Sequence, residues 1–262
     1  MGLHNGEKLN QLLELLPEGV AAPSQWLVGQ GYSRQLVRKY LQGNWLVALG
    51  RGVYARPQSD VRWVGVVLGI QRLAGLSFHV GGISALNRLG FAQYLPLSGE
   101  KVIHLWGQDK VPAWVKAVSL PEQLLFHTNR LFETTVAVEG IVDLPGGVRD
   151  WSMHVSGPER AIMEMLYEVD DYESSFVHAL EIFEGLTALR PALVNTLLRH
   201  CRSLKVKRLF LFMADRVKYP WCERLDKAGI NLGSGKRVIV KGGVLDKRYL
   251  ITVPERLDAE QG

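Results

Sequence analysis

Between residues 5 and 57 three short helical periods are followed by one glycine-turned hairpin, and that order leaves few folds open. Leu9, Leu12, Leu13 and Leu16 recur at helical spacing after a cap at Asn5, and Pro17-Glu18-Gly19 stops that helix. Pro23-Ser24 opens a second helix that runs through Trp26 and Leu27 to Gly29. Ser33 caps a third over 34–42, with Leu36, Val37, Tyr40 and Leu41 on its apolar face and Arg34, Gln35, Arg38, Lys39 and Gln42 facing outward. Gly43-Asn44 ends it. Two strands then flank Gly50-Arg51-Gly52, one over 45–49 and one over 53–56. Helices and hairpin in this sequence are the layout of a winged helix-turn-helix.

The remainder alternates both kinds of element. Helices are expected over 61–73, 83–89, 158–167, 176–183, 192–202 and 204–215, and strands over 102–106, 123–127, 135–138 and 148–154. A closing hairpin is expected to pair 238–241 with 249–253 across Gly242-Gly243 and Asp246. The expected fold class is α+β: an N-terminal winged helix-turn-helix followed by a larger mixed α/β C-terminal domain. The expected division is 1–95, with the winged helix proper at 5–57, and 96–262. There is no internal repeat.

Charge is unevenly spread. Lys and Arg number 31 against 26 Asp and Glu, yet residues 131–200 carry −8 while residues 201–256 carry +9 before a tail with Asp258 and Glu260. Residues 1–57 and 58–130 carry +3 each. Basic surfaces of this kind attract phosphate-bearing partners. No apolar run is long enough to cross a bilayer, and the polar opening at 1–8 predicts no secretory leader. Two cysteines, Cys201 and Cys222, fit a reducing compartment, so a cytoplasmic protein without a membrane partner is expected.

The helix at 34–42 carries the strongest chemical signal. A recognition helix presents long polar side chains to base edges in the major groove, where arginine pairs with guanine and glutamine with adenine. Ser33, Arg34, Gln35, Arg38, Lys39 and Gln42 are the candidate DNA-binding residues on it, and Arg51 at the wing tip is placed for a phosphate or the minor groove. The plainer reading is an amphipathic helix whose charged face is merely wet. A second basic surface is expected from Lys205, Lys207 and Arg208 with Lys236, Arg237, Lys241, Lys247 and Arg248. It would hold nucleic acid or an acidic protein, or else answer the chain's own acidic middle.

Catalytic patterns fail on detail. Gly235-Lys236 lacks the phosphate-loop glycine five residues earlier, where Ile230 stands, and is followed by Arg237 instead of Ser or Thr. Gly233-Ser234 could open a nucleotidyltransferase signature, but Asp246 has Arg248 where the second metal carboxylate belongs. The seven histidines show no zinc spacing. Glu164, Glu168, Asp170, Asp171 and Glu173 read as a solvated acidic face. No catalytic residue, metal site or cofactor is expected.

Several runs resemble the AbiEi-type antitoxins of abortive-infection toxin–antitoxin systems. They are Gly52-Val53-Tyr54, Ser156-Gly157-Pro158-Glu159-Arg160-Ala161 and Arg208-Leu209-Phe210-Leu211-Phe212, and above all Ile230 through Gly243 with Ile251-Thr252-Val253-Pro254. The resemblance spans nearly the whole chain and lies in the order of the motifs. It implies an N-terminal domain that binds inverted repeats in double-stranded operator DNA and represses its own operon, and a C-terminal domain that counteracts a nucleotidyltransferase toxin. The missing metal carboxylates would then belong to the partner. The alternative is a ligand-responsive transcriptional regulator with no toxin partner.

Overall fold

The leucine stripe forms α1 (Asn5–Leu15), which together with Leu16 just beyond its end places Leu12 and Leu16 wholly out of water. In the computed structural model, which describes residues 5–91, 101–127 and 130–255, there follow β1 (Ala22–Pro23), α2 (Ser24–Gly29), α3 (Arg34–Gln42), β2 (Val47–Gly50) and β3 (Val53–Ala55). The three strands form one antiparallel sheet in the order β1-β3-β2, with Ala22 opposite Tyr54 and Val47 opposite Ala55. The expected boundary at 95/96 and the acidic tail lie outside the described residues.

The chain resolves into two compact units. The first comprises 1–79, 101–128 and 143–154, and the second 80–100, 129–142 and 155–262. In the first, α4 (Trp63–Leu68) runs into a π-helical turn (Gly69–Leu73) and lies tight on the chain entering β1. A Cβ on Gly65 would sit 1.7 Å from the Gly19 carbonyl oxygen, and one on Gly69 2.2 Å from that of Ala21. Alanine for glycine inside a helix ordinarily stabilises by about 1 kcal/mol. Here the overlap reverses the sign: Gly65→Ala is expected to cost about 1–3 kcal/mol and to lower the thermal midpoint.

The larger sheet joins β4 (His79–Val80), β5 (Val102–Trp106), β6 (Gln123–His127), β7 (Ile141–Val148) and β8 (Trp151–Ser156) in the order β6-β5-β4-β8-β7. β5 pairs with β6, and β4 with β8, in parallel. The buried Gln71 amide locks this sheet to the π-turn: its nitrogen donates to the carbonyls of Phe78 (2.8 Å) and His154 (3.1 Å), and its oxygen accepts from the His154 amide at 3.0 Å.

The second unit is built on helices. α6 (Pro158–Glu168) and α9 (Leu204–Val217) are buried on nearly every side, charged residues included, and are therefore central. α5 (Gly82–Arg88) and α8 (Pro191–His200) pack on α6, and α7 (Glu173–Glu184) packs on both α6 and α9. Phe183 meets Phe210 edge-on at 5.1 Å, and the Trp221 indole donates to the Leu186 carbonyl at 3.0 Å. β9 (Val244–Asp246) and β10 (Ile251–Val253) make an antiparallel pair.

Glu159 sits at the start of α6, 1% exposed, and accepts three hydrogen bonds of 2.9 Å from Arg190, one from the backbone amide and two from the guanidinium. Burial acts to raise its carboxyl, but the Arg190 bonds outweigh that and hold it below the ordinary glutamate value. A carboxyl depressed in the folded state stabilises fully above its unfolded value of about 4.3, and that contribution is lost as pH falls through the folded value. The urea midpoint is therefore expected to drop on acidification below about pH 4. In Glu159→Gln, already weakened at neutral pH, that drop should be smaller.

Four sequence expectations are corrected. Residues 135–138 are not a strand: a 3-10 turn (Thr134–Val136) stands there, and Arg160 Nη1 donates to the carbonyls of Val136 (3.1 Å) and, just beyond, Glu139 (2.9 Å). The strand expected over 148–154 crosses the turn at Arg149 and Asp150, where Arg149 has φ +48°, so β7 ends at Val148 and β8 begins at Trp151. Residues 238–241 do not pair as a hairpin strand; β9 takes that place. Beside one backbone bond from the Val240 amide to the Thr252 carbonyl (3.3 Å), the Thr252 hydroxyl accepts from the amides of Ile239 (2.9 Å) and Val240 (3.0 Å) and donates to the Val240 carbonyl (2.7 Å). Glu164 is not solvated but 0% exposed.

Candidate nucleic-acid interface

α3 is built by local rules. The Ser33 Oγ accepts from the Leu36 amide at 3.2 Å, satisfying one of the free donors of the first turn. Val37 and Tyr40 are buried, and the Tyr40 ring lies 6.3 Å from that of Tyr32, whose hydroxyl donates to the Lys8 carbonyl at 3.1 Å. The helix is thus held to the core by Val37 and Tyr40, and its opposite side is left to solvent. At about 100° per residue, Arg34, Arg38, Gln42, Gln35 and Lys39 fall within one arc of roughly 140°. All five are exposed, as are Ser33 and Arg51. Among the described residues, Arg34, Arg38, Lys39 and Arg51 enter no ion pair. By contrast Arg56, at the base of the wing, is held by Glu18 at 2.9 Å.

The arc has two sides. Arg34 and Arg38, one turn apart, rim a cleft of about 430 Å³ floored by Val37 and Leu41 and bounded by Gln25 of α2 and Tyr54 of β3. Gln35, Lys39 and Gln42 continue the polar surface away from it. The wing tip is the two-residue turn Arg51-Gly52, with Gly52 at φ +76°, and Gly50 lies against the backbone of Ala117. The 3-10 turn carrying that contact (Ala113–Ala117) also presents Lys116 to solvent, a cation beside the wing that sequence reading missed. No local pattern marks it, because its place follows from the packing of Gly50 on Ala117.

The second basic group divides. Lys236, Arg237, Lys241, Lys247 and Arg248 are exposed, although Arg248 is held by Asp215 at 2.6 Å. Lys207 and Arg208, expected on the surface, are 6% and 1% exposed. Lys207 donates to the Asn231 carbonyl at 3.3 Å. Arg208 donates to the carbonyls of Leu232 (2.9 Å), Gly235 (2.6 Å) and Leu250 (3.3 Å). They pin the glycine-rich segment to α9 and are unavailable to a partner. Lys205 is half-buried and spends its ammonium on the carbonyls of Tyr167 (2.5 Å) and Val169 (2.8 Å), at the end of α6.

Cys201 and Cys222 are both buried, and burial pushes the Cys201 thiol up to about 11, the opposite of what a nucleophile requires. Among the described residues no three His, Cys, Asp or Glu side chains are grouped to hold a metal ion, and no helix is long and apolar enough to cross a membrane.

Residues 5–97 match a family model described as the N-terminal domain of the AbiEi antitoxin transcriptional regulators. Residues 100–254 match a second, described as "Transcriptional regulator, AbiEi antitoxin, Type IV TA system". The chain belongs to the AbiEi antitoxin family. It is accordingly a member of a family of transcriptional regulators of type IV toxin–antitoxin systems. No curated protein matches it. The crystal structure of the RV2827C protein from Mycobacterium tuberculosis is similar in fold, with a TM-score of 0.55 at 15% identity over 95% of this chain and 90% of that one. The mixed helix and sheet class, with an N-terminal domain consistent with a winged helix, stands on these matches and on the architecture above.

Proposed function

We propose that this AbiEi family member is a non-catalytic antitoxin that represses its own operon. In this reading α3 enters the major groove of inverted-repeat DNA, with Arg34, Gln35, Arg38 and Lys39 toward the bases. Ser33, Gln42 and Arg51 engage the backbone or the adjacent minor groove. The observation that carries it is the arc of exposed, unpaired cations on a helix whose other side is anchored in the core. Cations that have no intramolecular partner release counterions at no structural cost when they meet phosphate. Residues 96–262 counteract a nucleotidyltransferase toxin, with the exposed Lys236, Arg237, Lys241, Lys247 and Arg248 as the contact surface. The protein works in the cytoplasm.

Two measurements on the intact chain test this. Fluorescence anisotropy with a duplex from its own upstream region should give binding at least a thousandfold tighter than a scrambled duplex at physiological salt. Co-expression with the adjacent reading frame should restore growth. Binding that ignores sequence would sink the repressor, and absence of rescue by soluble protein would sink the antitoxin. The intact chain is required, because residues 101–128 and 143–154 belong to the same compact unit as the winged helix.

One observation favours a second reading, a regulator answering to a small ligand. A pocket of about 670 Å³ in the first unit is lined by Trp26, Leu73, Leu76, Val111 and Trp114, beside the π-helical turn. A ligand that quenches tryptophan fluorescence and shifts DNA affinity would establish it.

A further inference from the structure

The second unit holds a cationic cleft of about 450 Å³ that DNA repression does not use and that shares only Arg237 with the surface proposed to meet the toxin. Arg130, Arg202 and Arg237 line it, with Lys205 and Tyr167 at its side and Leu204 at its end. Separate backbone contacts fix each arginine. The amide of Arg202 donates to the Leu131 carbonyl at 2.8 Å and that of Glu133 to the His200 carbonyl at 3.0 Å, which sets Leu131 opposite Arg202, with Arg130 one residue before it. The amide of Arg237 donates to the Leu250 carbonyl at 2.9 Å, and its carbonyl accepts from Thr252 at 3.1 Å. Buried Arg208 clamps the carbonyls just ahead of it.

Among the described residues, Arg130, Arg202 and Arg237 enter no ion pair. Glu133 acts on Arg202 but is engaged by His200 Nδ1 at 2.9 Å, and Glu168 and Asp170 act on Lys205. Leu204 opens α9, so the positive end of a 14-residue helix adds to the field. Three planar guanidinium groups suit the oxygens of phosphate, which they can grip in pairs. The volume is that of a small-molecule site, whereas a polynucleotide backbone needs a stripe of cations along a face. The half-buried Tyr167 supplies an aromatic surface next to the cations.

We propose that this cleft binds the phosphate chain of a nucleotide, with Arg130, Arg202 and Arg237 as its anion ligands and Tyr167 beside the base. The test is calorimetric titration of the full chain with ATP, with pyrophosphate and with a random-sequence DNA duplex. ATP binds, and Arg202→Ala with Arg237→Ala weakens it at least tenfold while the thermal midpoint is kept. Tyr167→Ala weakens ATP more than pyrophosphate. Arg130→Ala, on a separate segment, repeats the test should the double variant fail to fold. No binding of millimolar ATP, or ATP binding that these variants leave unchanged, overturns the proposal. Pyrophosphate binding as tightly as ATP overturns the nucleotide assignment. Variants that lose the random duplex but keep ATP replace it with a polynucleotide site.

Discussion

Replacing Glu164 by leucine is expected to destabilise the second unit by about 3–5 kcal/mol. Its carboxylate, 0% exposed, accepts from the Ser156 hydroxyl at 2.8 Å, the Gly82 amide at 3.0 Å and Arg160 Nε at 2.9 Å. Through Gly82 it also caps the start of α5, so one group ties α5, β8 and α6 together. Leucine would orphan three buried donors at once, the most costly of them the Arg160 guanidinium, 8% exposed. Arg160→Met should cost a similar amount, because it strands the carboxylate and frees the carbonyls of Val136 and Glu139. The double variant should be markedly less damaged than the two single losses combined, since removing both charges leaves none uncompensated. Urea unfolding followed by circular dichroism measures all three. Single variants within about 1 kcal/mol of the parent would show that water reaches the site.

That network also shows where reading the sequence stops working. α3 was legible because everything that makes it is local: a serine cap, four apolar residues on one side and a glycine after the last turn. The strands at 102–106 and 123–127 were legible for the same reason, and they stand at those bounds. β1 was not, because two residues carry no period and its pairing partner lies about thirty residues away. Glu164, Lys207 and Arg208 were misplaced by treating charge as a mark of the surface. The neighbours gave little away, since α6 and α9 carry further charges at Glu159, Arg160, Lys205 and Asp215, but a charge that the fold buries must find partners inside. What no pattern could give is the identity of those partners, which are backbone carbonyls and amides brought in by distant segments. The hydroxyl of Thr252, which holds the amides of Ile239 and Val240, is invisible for the same reason.

On the DNA side, Arg34→Ala combined with Arg38→Ala is expected to weaken operator binding by about 2–6 kcal/mol, from roughly thirtyfold to more than ten-thousandfold. Both side chains are exposed and unpaired, so their removal leaves the α3 core of Val37 and Tyr40 intact and the thermal midpoint unchanged. Arg51→Ala should behave differently. A phosphate contact carries no sequence information, so its loss should weaken operator and random duplex alike and reduce the salt dependence by about one counterion. Comparing the ratio of specific to non-specific affinity across these variants separates the two roles. If the double variant keeps its ratio and loses affinity uniformly, Arg34 and Arg38 grip the backbone, and the reading of bases passes to Gln35 and Lys39 farther round the helix. If affinity does not change at all, α3 is a wet amphipathic helix, and the contacts with DNA lie elsewhere on the chain.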